Sequence, residues 1–279
     1  MDPRHVTVII PAHQEAAHIG RCLLALCRQD LAGGVVHEVV VVPNGCTDAT
    51  AQIARDMSDR LAAASWRLTV IETPIGSKIE ALNLGDAAAP DDIRIYLDAD
   101  IEVGAGVIAG LFQALAGAGP RYAGARLVVP PPRSALSASY ARFWQRLPFV
   151  ADGVTGAGLF AVNREGRARW DRFPPIIADD GFARLNFAPE ERVRVERPYY
   201  WPITEGFRRL VRVRRRQDAG NVQLARIFPH LLRNSGKDRP TVRHLLRLAL
   251  ADPVGFAVYS TVTLAVRMRR KSDSWDRGR

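Results

Sequence analysis

The stretch Ile93-Arg94-Ile95-Tyr96-Leu97-Asp98-Ala99-Asp100 decides how the chain is read. Its first five residues carry aliphatic, aromatic and β-branched side chains, the composition of a buried strand. The run then stops on two carboxylates one residue apart. Carboxylates at that spacing suit a hard divalent cation, which commonly keeps waters and binds substrate phosphates. They equally suit a solvated turn that caps a strand, and the rest of the chain decides between the two.

Outward from this stretch, strands and helices alternate. Val6 to Ile10 predicts a buried strand stopped by Pro11, and Glu15 to Cys27 a helix with Ile19, Leu23 and Leu26 on one face. Val39 to Val42 predicts a second strand ended by Pro43-Asn44-Gly45, followed by a helix from Thr47, capped by its hydroxyl, to Ala63. Leu68 to Ile71, Lys78 to Asp86, Ile93 to Leu97 and Gly106 to Ala116 continue the alternation as strand, helix, strand and helix. Continuous apolar strands imply a parallel sheet with helices on both faces, and ligands of such sheets bind beyond the carboxyl ends of the strands. Glu15, Asn44, Lys78, Asp98 and Asp100 all follow strands and are expected at that one edge. Pro130-Pro131-Pro132 marks a linker or a change of direction. Past it, Ser137 to Phe149 predicts a helix, and glycine-rich Gly153 to Phe160 leads into a strand at Leu159 to Val162.

The 279 residues, 47% hydrophobic and 24% charged, fit one large α/β domain with an appendage. The formal net charge of +10 favours an anionic partner: a phosphate-bearing substrate, a membrane surface or nucleic acid. Three cysteines, Cys22, Cys27 and Cys46, form no zinc pattern, which points to a reduced, intracellular chain. No secretory h-region is evident, and no apolar run approaches the roughly 20 residues needed to span a bilayer.

Taken in order, Val8-Ile9-Ile10-Pro11-Ala12-His13-Gln14-Glu15, then Val40-Val41-Val42-Pro43-Asn44-Gly45-Cys46-Thr47-Asp48, then Gly76-Ser77-Lys78-Ile79-Glu80-Ala81-Leu82-Asn83-Leu84-Gly85, then Tyr96 to Asp100 resemble a family 2 glycosyltransferase. The resemblance covers roughly residues 5 to 185. It implies the GT-A fold: a mostly parallel, Rossmann-like sheet flanked by helices, here with a helical C-terminal extension. It divides the chain into a GT-A domain over 1–220, with a donor half to about 128 and an acceptor half over 129–220, and a basic extension over 221–279. The activity implied is an inverting transfer of a sugar from a nucleotide diphosphate sugar, UDP-linked by preference, to a lipid or saccharide acceptor in cell-envelope polysaccharide or glycolipid synthesis.

Residue by residue, the resemblance places Pro11 and Glu15 at the nucleoside, Asn44 at the base edge in place of an aspartate, and Lys78 at the donor. Asp98 and Asp100 would hold Mn2+ or Mg2+ against the diphosphate, with Asp98 also near the sugar. In the pair Asp179-Asp180 the second residue would be the catalytic base, Asp179 being the fallback. Gly156-Ala157-Gly158 would admit the acceptor. Of the arginines at 208, 209, 212, 214, 215 and 216, Arg215 and Arg216 would reach the pyrophosphate, where a planar guanidinium binds oxygens in pairs.

Asp252-Pro253 predicts a helix start, followed by about 14 nearly uncharged residues before Arg267, Arg269, Arg270 and Lys271. Two readings stand: a helix lying in the interface of an anionic membrane, or one covering the core. The corresponding location is cytoplasmic, peripheral on the inner face of the membrane. Two rival functions are weaker. A sugar-nucleotide-forming nucleotidyltransferase would need a glycine-rich loop after the first strand, and residues 11 to 18 have no glycine. A basic nucleic-acid-binding protein would need stacking aromatics among its cations, and residues 208 to 216 have none, so nucleic acid is not expected as a partner.

Overall fold

The computed structural model describes residues 4–90, 92–236 and 241–268. The first half runs β1 (Arg4–Ala12), α1 (Ile19–Leu26), β2 (Val35–Pro43), α2 (Thr50–Asp56), α3 (Ser58–Ala63), β3 (Trp66–Val70), α4 (Lys78–Ala88), β4 (Ile93–Leu97), β5 (Glu102–Val103), α5 (Val107–Leu115) and β6 (Tyr122–Val128). The second half adds α6 (Ala135–Trp144), α7 (Pro148–Ala151), β7 (Leu159–Val162), α8 (Arg164–Arg167), α9 (Asp179–Leu185), β8 (Arg192–Tyr200), α10 (Phe207–Ile227), α11 (Val242–Ala251) and α12 (Pro253–Met268).

The strands form one sheet in the order β3-β2-β1-β4-β7-β6-β8-β5. The half built from β3, β2, β1 and β4 is parallel, as expected from the sequence. Beyond it β7 runs antiparallel to both β4 and β6, and β5 antiparallel to β8, so the sheet is mixed.

Apolar residues on both faces of each strand explain why the sheet lies between helices. Along β1, Val6, Val8 and Ile10 pack into one core with Leu23 of α1, Leu61 of α3 and Leu111 of α5. Ile9, pointing the other way, joins Leu82 of α4, Phe182 of α9 and Leu224 of α10. That is the period-2 alternation of a strand covered on both sides. A third, smaller core holds Tyr140 of α6, Leu210 and Val211 of α10 and Val262 of α12. α10 runs unbroken through residue 220, so it joins the sheet core to this helical layer.

Several local expectations change; the helix expected over Ser137 to Phe149, for one, is interrupted between Trp144 and Pro148, and the one expected from Glu15 begins at Ile19. Pro11 does not stop β1: the strand continues to Ala12, and Pro11 pairs in register with Val42. The Ala12 carbonyl accepts from Asn44 on the β2 side. Pro11 therefore faces the β4 side, where pairing has already ended at Ile9, and its missing N–H costs no ladder bond. The single helix expected from Thr47 to Ala63 is two, separated at Met57. Thr47 caps neither; its hydroxyl accepts from the Gln14 side chain at 2.7 Å.

Asp252 does begin a helix, as its sequence position predicts: its Oδ1 accepts from the Gly255 N–H at 2.9 Å. It also receives Arg142 of α6 through two N–H groups at 2.7 and 3.0 Å, which fastens α12 to α6. The Arg142 hydrogen bond draws the Asp252 carboxyl down to about 2. The basic run Arg269-Arg270-Lys271 lies outside the described residues.

Asp252→Ala is expected to lose about 1–2 kcal/mol of stability at pH 7, since cap and charge-assisted pair go together and Arg142 is half exposed. Asp252→Asn keeps the cap and loses less. Because the folded carboxyl titrates below its unfolded value, the advantage of the native residue over Asn is complete above about pH 4. It disappears as pH falls toward 2, and urea unfolding across that window measures it.

Candidate functional site

The carboxyl ends of β1, β2 and β4 share one edge of the sheet, because the three strands are parallel. At that edge the Asp98 N–H donates to the Gly158 carbonyl at 2.8 Å, and the Asp98 carbonyl accepts from Ile101 at 3.1 Å. These bonds turn the chain sharply and fix Asp98. Lys78 opens α4, whose first turn is capped by the Ser77 hydroxyl accepting from the Glu80 N–H at 3.3 Å. Its ammonium lies 2.8 Å from Asp98 Oδ1 and 3.1 Å from Asp179 Oδ2. Asp179 and Asp180 form the first turn of α9, where the helix dipole favours negative charge.

Charge balance follows from this packing. Burial disfavours the Lys78 ammonium, but the carboxylates of Asp179 and Asp98 outweigh burial and raise its pKa above that of an ordinary lysine. Burial and the neighbouring Asp179 push Asp180 up to about 6, while Lys78 and the Gly181 N–H, 2.7 Å from Asp180 Oδ1, hold it down. Burial, together with Asp98 and Glu15, pushes Asp100 up to about 7.

A cavity of about 430 Å³ opens here. Its wall includes Pro11, Lys78, Asp98, the loop Gly156-Ala157-Gly158, Asp179 and Asp180, and Arg214 and Arg216 of α10. Trp144, Phe149 and Trp201 line another part of it, the two indoles 5.5 Å apart and tilted by 33°. The glycine loop is anchored by the Tyr199 hydroxyl, which donates to the Ala157 carbonyl at 2.7 Å. Both glycines sit at positive φ, 74° and 69°. A Cβ on Gly156 would collide with the Tyr122 hydroxyl, and one on Gly158 would stand 2.8 Å from Ile101 and 2.9 Å from Trp201.

The structure thus gathers Pro11, Lys78, Asp98, Gly156, Ala157, Gly158, Asp179, Asp180 and Arg216 around one cavity. Glu15 and Asp100 are not among its lining residues, but they lie close enough for Glu15 to raise the Asp100 carboxyl. The Glu15 N–H donates to the Thr50 hydroxyl at 2.8 Å, which seats its loop on α2. Asn44 has a different occupation from the one expected. It is buried, and its amide donates to the Ala12 and Val42 carbonyls at 2.9 and 3.3 Å, locking the ends of β1 and β2 together. Arg215 points away, donating to the Ala265 carbonyl of α12 at 2.7 Å, and Arg214 lines the cavity in its place. Among the described residues no three His, Cys, Asp or Glu side chains are grouped to hold a metal ion. Trp144, Phe149, Trp201, Arg184 and Asn221 also line the cavity; none follows a strand of the parallel half, the position that points to a ligand site in the sequence.

Residues 7–158 match the family model described as "Glycosyl transferase family 2". The chain belongs to that family. Over 95 residues it is 36% identical to "Glycosyltransferase AglE" of Haloferax volcanii, a match covering 34% of this chain. The chain spans only about 30% of the length of that curated relative. Among solved structures it resembles the mannosyltransferase PcManGT from Pyrobaculum calidifontis, in complex with GDP-Man and Mn2+, at a TM-score of 0.60 and 22% identity, covering 96% of this chain and 76% of that one. It also resembles S. aureus TarS 1-349 in complex with UDP-GlcNAc, at 0.53 and 15%, over 94% and 81% of the two chains. A third likeness is to glucosyl-3-phosphoglycerate synthase of Mycobacterium tuberculosis, with Mn2+, UDP and glucosyl-3-phosphoglycerate, at 0.52 and 18%, over 85% and 82%. These likenesses fix the fold of the family 2 chain as GT-A.

The glycine loop gives a direct structural test. Gly156→Ala is expected to cost about 1–3 kcal/mol, from the left-handed backbone and from the collision with Tyr122. Tyr122→Phe removes the hydroxyl, so the double variant should be less destabilised than the sum of the singles, and a thermal-unfolding double-mutant cycle reads the coupling.

Proposed function

We propose that this family 2 chain is an inverting glycosyltransferase in which Asp180 is the base that activates an acceptor hydroxyl. The observation that carries the reading is the Asp98–Lys78–Asp179 bridge at a cavity that also presents Asp180, a carboxyl held near neutrality. A group with that pKa is ionised at pH 7 and still basic enough to take a proton in the transition state.

The donor is a nucleotide diphosphate sugar, UDP-linked by preference; the solved relatives are named with GDP-Man, UDP-GlcNAc and UDP. Pro11 and Glu15 belong to its nucleoside end, Lys78, Arg216 and Arg214 to the diphosphate, and Gly156 to Gly158 to the acceptor. The acceptor oxygen bonds to the anomeric carbon as the bond from that carbon to the phosphate oxygen breaks. The proton passes to Asp180, and the diphosphate leaves carrying the electron pair. Lys78 and the α10 arginines supply positive charge where the leaving group becomes more negative. The donor half, to about residue 128, serves the nucleotide, and the acceptor half, over 129–220, serves the acceptor, a lipid or a saccharide of the cell envelope.

The donor set also fits a hard divalent ion. Asp98 and Asp100 offer oxygen ligands one residue apart, and after burial it is the charges of Asp98 and Glu15 that raise the Asp100 carboxyl, so three carboxyls lie near one another here. Asp98 and Asp100 would hold Mn2+ or Mg2+, which would supply Lewis-acid neutralisation at the diphosphate when bound.

Asp180→Asn is expected to lower kcat by roughly 10²–10⁴-fold while donor affinity stays within a few-fold. In the native chain kcat should rise with pH through about 6 and level off above it. Asp179→Asn removes the carboxylate that raises Asp180, so its acid limb should move to lower pH. An inactive Asp179→Asn beside an active Asp180→Asn would reverse the assignment.

Asp100→Ala is expected to abolish the manganese dependence of donor binding by calorimetry and to cut turnover. Equal turnover with and without EDTA in the native chain would refute the metal role.

A further inference from the structure

We infer that α11 and the outer side of α12 form a docking face for an anionic lipid surface. α11 has no buried residue, although its composition is strongly two-sided. Val242, Leu246 and Leu250, spaced i, i+4 and i+8, form one stripe and are 74%, 59% and 83% exposed. The stripe continues on α12 with Val254, Leu264 and Met268, each more than half exposed. A row of large aliphatic side chains held in water is unfavourable and marks a surface that a partner covers.

Charge selects the partner. Arg243 and Arg247 follow the α11 residues Val242 and Leu246 by one position each, so they flank the stripe, and Arg267 adjoins Met268; all three are exposed. An apolar stripe edged by arginines matches the boundary between the acyl chains and headgroups of an anionic bilayer. A second copy of the chain would bring the same arginines against themselves. Among the described residues no helix is long and apolar enough to cross a membrane, so the pair would lie along the surface.

The inner side of this layer leads to the cavity. Val262 of α12 is buried against α6 and α10, and Tyr259 stacks on Tyr140 of α6 at 5.6 Å. α6 ends at Trp144, which lines the cavity, as do Arg214 and Arg216 of α10. Docking would therefore set the acceptor side of the cavity close to a lipid-borne acceptor, a consequence that rests on the proposed transfer reaction.

The test is flotation of the full chain with phosphatidylglycerol-rich vesicles and, separately, with vesicles of phosphatidylcholine alone. The native chain should float with the first and stay down with the second. A variant carrying Leu246→Glu and Leu250→Glu, and another carrying Arg243→Glu and Arg247→Glu, should each lose roughly tenfold or more in apparent affinity. Unchanged melting temperatures would show that both remain folded. A native chain that stays in the soluble fraction with anionic vesicles overturns the inference. So does a concentration-dependent dimer that the leucine variant abolishes while vesicle binding persists. Flotation needs no turnover, so its failure is distinct from a failure to transfer sugar, which a soluble saccharide acceptor reports separately.

Discussion

One ammonium holds the site in shape. Lys78 sits between Asp98, at the end of a strand, and Asp179, at the start of a helix a long way along the chain. Without that cation Asp98, Asp179 and Asp180 would crowd one cavity as unpaired like charges, at a separation where repulsion costs most in a partly desolvated setting. With it, Asp98 and Asp179 are paired. The same cation that joins β4 to α9 also holds Asp180 down against burial and Asp179, which raise it.

The fold delivers these groups through backbone contacts that do no chemistry themselves. Asn44 locks the ends of β1 and β2, the Gly158 carbonyl holds the Asp98 N–H, and the Tyr199 hydroxyl holds the Ala157 carbonyl. Beneath β4, Asp86 of α4 accepts from the Tyr96 hydroxyl at 2.6 Å and pairs with buried Arg94 at 3.1 Å and with Arg167 of α8. Buried charges of this kind are tolerated only when each has partners, and here they tie the strand that carries Asp98 to helices on one face of the sheet.

What the sequence reveals depends on how local the deciding interaction is. β4 and β7 have the bounds expected from their apolar runs, because Asp92 and Asp98 flank the first and Gly158 precedes the second. Pro11 misleads because its tolerance depends on where β4 stops pairing, a tertiary fact. Asn44 reads as a donor contact because its offset after β2 is right; only the neighbouring strand shows that both its amide hydrogens are engaged. Arg214 and Arg215 differ by about 100° around one helix, and which of them meets the cavity is set by the place α12 takes. α11 is the same problem in reverse. A leucine stripe at helical spacing predicts burial, and nothing local distinguishes a stripe that faces a core from one left facing water.

The positive charge of the chain is unevenly used. Arg94 and Arg167 are spent on Asp86, Arg142 on Asp252 and Arg169 on Glu191, so these cations act as internal fastenings. On α10, Arg215 is likewise tied down, to the Ala265 carbonyl, whereas Arg214 and Arg216 line the cavity. The cavity wall therefore carries both signs, with Asp98, Asp179 and Asp180 around Lys78 and with Arg214 and Arg216 contributed by α10. On the proposed reading, an anionic diphosphate gains from Lys78 and the guanidinium groups and is repelled by carboxylates that no cation balances. In the proposed transfer the leaving group would then lie toward Lys78 and these arginines, and the sugar toward Asp180.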